Sequence, residues 1–182
     1  METRKTECSL ARHLLGEQMF TSKLEKKENA SKSELYSDLL SQLSSLFADE
    51  RDFIANAANL SSLLFYSVPD LNWAGFYLHK NNELVLGPFQ GQLACVRIPI
   101  GKGVCGTAAQ QRSTIIVDNV HEFPGHIACD SASNSEIVVP IIKEDRLLGV
   151  LDIDSPSLGR FDEEDAQGLN EIVRVFVEST DL

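Results

Sequence analysis

The chain is short of basic residues and long apolar runs, and each shortage closes off a class of function. Sixteen Lys/Arg stand against 27 Asp/Glu in 182 residues, a formal charge of −11. Residues 1–32 carry seven Lys/Arg and five Asp/Glu, so residues 33–182 carry −13. A chain that acidic lacks the cation clusters that grip phosphate, which argues against nucleic acid and anionic membrane surfaces as partners. No apolar stretch approaches the roughly 20 residues that span a bilayer. The stretch METRKTECSLARHLLGEQMF has no apolar centre of the secretory kind, and Glu2, Glu7 and Glu17 argue against a transit peptide. The expected compartment is a reducing cytoplasm, where clustered cysteines are more often redox-active or metal-bound than structural. There is no internal repeat and no CxxC pair, so a thioredoxin-type motif is absent.

Three cysteines in the middle of the chain are the most informative residues present. Cys95, Cys105 and Cys129 sit in GQLACVRIP, GKGVCGTAA and FPGHIACDSASNSE. Loop and element-end settings rich in glycine let backbone approach a ligand, and point to thiol chemistry. Two other readings stand beside it. Free cysteine packs as a small hydrophobe, which suits Cys105 between Gly103 and Gly106. His126 and Cys129 have HxxC spacing, and with Cys95 or Cys105 they could complete a tetrahedral zinc site. Cys8, alone in the tail, is taken as incidental.

Periodicity outlines an α+β domain from about residue 33, preceded by an extension over 1–32 with a short amphipathic stretch at 9–20 and a polar stretch at 22–34. Leu35, Leu39, Leu40, Leu43, Leu46 and Phe47 recur at helical spacing, with Ser33 a candidate N-cap. A second helix covers about 50–66 and stops before Pro69. WAGFYLHK, the turn NN and ELVLGPF read as a hairpin. VRIPI is a further short strand, 104–111 a short helix, and STIIVD a buried strand. Residues 119–136 form a long loop, a feature that is usually functional or disordered inside a compact domain. EIVVPII and RLLGVLDIDS form a hairpin around KED, and 162–179 is a helix whose acidic start suits its dipole. The order predicts an antiparallel sheet with helices packed on it.

Alternation puts Asp152 and Asp154 on one strand face. Glu136 opens the partner strand, opposite residue 153 or 154, and one residue of slip decides whether it shares that face. Three carboxylates together would raise one another's pKa and could hold a proton near neutral pH. Equally, Asp152 and Asp154 could simply end the strand in solvent. Trp73 and Tyr77, at i and i+4 on a strand, share a face as core packing or as a wall for a small apolar group.

GPFQGQLACVRIPIGKGVCGTAA, DNVHEFPGHIACDSASNSEIVVPI and GVLDIDSPSLGRFDEED resemble the free methionine-(R)-sulfoxide reductases, stand-alone GAF-domain enzymes. The likeness covers about residues 33–180 and leaves the extension aside. It implies a GAF-like six-stranded antiparallel sheet flanked by helices, and a homodimer. It further implies reduction of free methionine-(R)-sulfoxide, with Cys129 the attacking thiolate, Cys95 the resolving residue and Cys105 a third relay position. A sulfenic acid on Cys129 would condense to a disulfide. Thioredoxin would recycle that disulfide with NADPH behind it, and no bound cofactor or metal is expected. Glu136, Asp152 and Asp154 would hold the sulfoxide oxygen through a proton and meet the substrate ammonium. Trp73 and Tyr77 would wall the S-methyl group, and the 119–135 loop would close over the site. Because carboxylates raise a thiol pKa, protonation of the sulfoxide carries the activation, with His126 or backbone N–H groups beside the thiolate. The alternative is a small-molecule or redox-sensing GAF binding module without catalysis.

Overall fold

The computed structural model describes residues 31–127 and 131–181. Cys8, the 9–20 stretch, most of the 22–34 stretch and Cys129 lie outside the described residues.

The first helix, α1 (Lys32–Leu46), is started by Ser31, two residues before the expected cap. The Ser31 side chain accepts from the Glu34 N–H, and the Glu34 carboxylate returns a bond to the Ser31 N–H. That S-x-x-E box satisfies two donors at once, which a cap at Ser33 could not do with Tyr36 three residues on. Helix α2 (Phe53–Ser67) is capped by Asp52 at its start and by Val68, directly before Pro69, at its end. The hairpin β1 (Trp73–Lys80) and β2 (Glu83–Gly91) turns on Asn81 and Asn82, both left-handed at φ 52° and 63°. Two such residues make the tight turn whose twist matches the strands. Glu144 and Asp145 repeat the device between β5 (Ser135–Lys143) and β6 (Arg146–Ser155). Short strands β3 (Arg97–Pro99) and β4 (Ile115–Val117) flank helix α3 (Gly103–Gln111). Helix α4 (Glu163–Ser179) closes the fold, with Asp162 accepting from the N–H groups of Glu164 and Asp165.

The six strands form one antiparallel sheet in the order β3-β2-β1-β6-β5-β4. Strand alternation divides the interior in two. Ala74, Phe76, Ile137, Val139, Leu151 and Ile153 face α1, α2 and α4 in the larger core. There Phe76 meets the Phe176 ring at 5.1 Å, and Phe53 meets the same ring at 5.5 Å. Buried Asp165 ties α4 to α1, accepting from the Tyr36 hydroxyl at 2.9 Å and from Arg160 at 3.2 Å, and pairing with Lys32. Tyr77, Val138 and Val150 face the other way, against Val104, Cys105, Ala108 and Ala109 of α3. This smaller core contains the cavity.

Candidate active site

The carboxylates meet because of one extra residue. At the β5–β6 turn, Lys143 pairs with Arg146 and Ile142 with Leu147. Continued unbroken, that register would set Glu136 against Ile153 and turn it into the larger core. A bulge between Ile141 and Ile142 shifts the pairing, and Glu136 stands opposite Asp154. Directly paired residues share a face, so Glu136, Asp152 and Asp154 point to the α3 side together. Trp73 stands opposite Asp154 on the other flank of β6.

The aromatic side is set by a second bulge, between Gly75 and Tyr77, which brings Phe89 opposite Gly75. A methyl group at Gly75 would lie 2.3 Å from Cβ of Phe89 and 2.8 Å from the Trp73 ring. Glycine there lets the Trp73 ring lie across the strand, stacked between Phe89 at 5.3 Å and Tyr77 at 5.8 Å. Phe89 was not singled out from sequence, because a bulge leaves no pattern in composition. Gly87 and Pro88 beside it, and Gly75 opposite it, are the local irregularities.

A cavity of about 30 Å³ lies between β6, β5 and α3. Its walls are Tyr77, Cys105, His126, Ser133, Glu136, Asp152 and Asp154, with Ile98, Gly103, Val104 and Ile127. Tyr77 reaches it directly, while Trp73 stands behind Tyr77, buried, with its indole N–H donated to the Gln92 carbonyl at 3.2 Å. The glycines of GKGVCG serve packing between protein parts here. Gly103, at φ +62°, leaves Ile127 of the long loop just enough room, and a methyl at Gly106 would sit 2.4 Å from the Pro99 carbonyl. The loop itself starts with a 3₁₀ turn at Val120–Glu122. Its stem is held by Val120 N–H to Asn134 O and Asn134 N–H to Ser155 O.

Glu136 and Asp152 are each 6% exposed. Burial, then the Asp152 and Asp154 charges, hold Glu136 well above the usual carboxylate range. Burial also pushes Asp152 up to about 6, against hydrogen bonds from Cys105, Glu136 and the Ile153 backbone. Both groups are thus shifted towards their acid forms by burial, and they titrate as a coupled pair. The Cys105 Sγ donates to Glu136 Oε1 at 3.7 Å, and burial, followed by the Asp152 charge, raises the thiol far above its ordinary value. His126 Nε2 lies 3.9 Å from Glu136 Oε2, and burial lowers the His126 pKa, which keeps the ring neutral at neutral pH.

Cys95 lies in the β2–β3 connection, half-buried and disulfide-bonded, while Cys105 is a free, buried thiol. In this state Cys95 offers no thiolate to the zinc set that the HxxC spacing suggested. Among the described residues, the donor atoms of Cys105, Glu136 and Asp152 do lie within 4.8 Å of one another.

The sheet order, the helices on both faces and this recessed acidic cavity define a GAF domain, and the GAF-domain family model matches residues 57–176. A free methionine-R-sulfoxide reductase of Escherichia coli K12 is 54% identical over 142 residues, which cover 78% of this chain and 86% of that protein. The chain belongs to the free methionine-R-sulfoxide reductase family. Two solved structures agree. The reduced fRMsr of Staphylococcus aureus aligns with a TM-score of 0.77 at 54% identity, covering 79% of this chain and 94% of that one. The Neisseria meningitidis enzyme in complex with its substrate aligns at 0.81 and 44% identity, covering 86% and 94%.

Proposed function

We propose that this chain reduces free L-methionine-(R)-S-oxide to methionine, with Cys129 attacking, Cys95 resolving, and the proton of Glu136 activating the sulfoxide. The buried, acid-shifted pair of Glu136 and Asp152 is the observation that carries the reading. A sulfoxide oxygen is a poor leaving group until protonated, and a carboxyl group kept acidic by burial is suited to supply that proton.

The Cys129 thiolate attacks the sulfoxide sulfur, and Glu136 passes its proton to the oxygen. The S–O bond breaks, methionine leaves, and Cys129 becomes a sulfenic acid. The Cys95 thiol condenses with it, forming an S–S bond and releasing water. The disulfide at Cys95 fits the end of this sequence. A thioredoxin-like dithiol then attacks the disulfide, becomes oxidised itself, and returns both thiols. Asp152 and Asp154 meet the substrate ammonium, and Trp73 holds Tyr77 against the S-methyl group. His126, being neutral, helps the thiolate by hydrogen bonding rather than by charge. Cys105, as a protonated and buried thiol, serves the carboxyl pair first and disulfide relay second. The 119–135 loop closes over the bound substrate and shuts out protein-bound sulfoxide.

The working unit in this reading is a cytoplasmic homodimer, with residues 33–182 as the catalytic domain and 1–32 as an appendage. No helix among the described residues is long and apolar enough to cross a membrane. The cysteine roles are tested by single-turnover methionine release. Cys129→Ser is expected to release none. Cys95→Ser is expected to release one equivalent per chain and then stall with thioredoxin. Sustained thioredoxin-driven turnover by Cys95→Ser would move the resolving role to Cys105.

A further inference from the structure

The Cys105 thiol is free in the same structure in which Cys95 is already disulfide-bonded. It is the sulfur donor at one end of a compact donor set. Cys105 comes from α3, Glu136 from β5 and Asp152 from β6, so three separate elements fix three potential ligand atoms within 4.8 Å. A tetrahedral centre with bonds of about 2.0–2.3 Å sets its ligand atoms roughly 3.5 Å apart. The Cys105 Sγ to Glu136 Oε1 distance is 3.7 Å, close to the edge of such a tetrahedron. An independent sign points into the same space. Asp152 Oδ1 is buried and has no hydrogen-bond partner among the described residues, although its residue is 6% exposed and lines the cavity. A buried acceptor left bare is unfavourable, and a ligand at that point would relieve it.

We propose that Cys105, Glu136 and Asp152 bind one soft divalent cation of the zinc class in the oxidised protein, with the fourth position open to water. A thiolate and two carboxylate oxygens with one open position form a donor set that zinc accepts. Binding replaces the protons on Cys105 and Glu136 with the metal and releases both to solvent. The prediction is unusual for a thiol enzyme, because the cation needs no free Cys95. Occupancy removes the proton donor from the site, so the cation also inhibits. That last consequence rests on the reading of the cavity as the substrate site, whereas binding does not.

The test uses full-length Cys8→Ser protein, oxidised, with one titratable thiol per chain after denaturation, in thiol-free buffer. Cobalt(II) is added first and zinc second. The expected result is one equivalent bound, with a sulfur-to-cobalt charge-transfer band that zinc displaces. Cys105→Ser should lose the band and bind roughly 100-fold more weakly; Glu136→Gln, nearly isosteric, should keep the fold and weaken binding by about tenfold or more. No charge-transfer band in the oxidised Cys8→Ser protein would overturn the proposal. So would binding unchanged in both Glu136→Gln and Asp152→Asn. Tight zinc binding with undiminished sulfoxide reduction would leave the cation site standing and count instead against the substrate reading.

Discussion

Two buried carboxyl groups, both shifted towards their acid forms, define the chemistry at the scale of single residues. Glu136 is raised well above the usual carboxylate range by burial and by the charges of Asp152 and Asp154, which favours its acid form. Activity that needs this proton is full below the Glu136 pKa and falls as pH rises through it. Glu136→Gln is expected to lower kcat/KM by about 10²–10⁴-fold and to remove that alkaline limb, measured as a pH–rate profile. The same burial affects stability. The Asp152 pKa is about 6 in the folded protein against 3.8 for the ordinary group. Between those values the folded state keeps a proton that the unfolded chain has lost, so stability falls as pH rises through the window, by about 1–3 kcal/mol. Asp152→Asn removes that loss. Urea midpoints at pH 4 and pH 7 should show the variant gaining on the parent as pH rises, and parallel slopes would refute the raised Asp152 pKa. The residue types were legible from sequence, and so was the face shared by Asp152 and Asp154. The place of Glu136 was not, because one residue of slip moves it between two cores.

At the scale of elements, bulges decide what strand periodicity leaves open. The strands, turns and helices lie where their patterns put them, with Asn81–Asn82 and Glu144–Asp145 as the two tight turns. Those features follow from local chemistry and so can be read locally. The bulges at Gly75/Tyr77 and Ile141/Ile142 come from packing across the sheet and carry only a weak local mark, a strand glycine beside each, Gly75 and Gly149. The first creates the stack of Phe89, Trp73 and Tyr77, which needs the absence of a side chain at Gly75. Gly75→Ala should cost about 1–3 kcal/mol by overpacking. Trp73 is the only tryptophan, so the displaced stack should also change the intrinsic emission. Unchanged stability and emission would mean that the stack does not depend on Gly75. The Ser31 cap makes the same point more mildly. The S-x-x-E box was present in the sequence, two residues ahead of the serine that periodicity favoured.

At the scale of the whole molecule, the sheet separates a stabilising core from a chemical one. The larger core, with α1, α2 and α4, has Asp165 as its buried polar anchor, satisfied by Tyr36, Arg160 and Lys32. The smaller core accepts buried acids, a bare carboxylate oxygen and a high-pKa thiol, which are unfavourable for folding alone. That division is what a reductase of a small polar substrate requires: rigidity behind the sheet and tuned acidity in front of it. The most direct measurement is methionine release from free methionine-(R)-sulfoxide, driven by thioredoxin, thioredoxin reductase and NADPH, with the free S epimer and a peptide-bound sulfoxide run in parallel. Turnover of the free R epimer alone is the predicted result. Equal turnover of all three, or none from folded and fully reduced protein, would contradict the account.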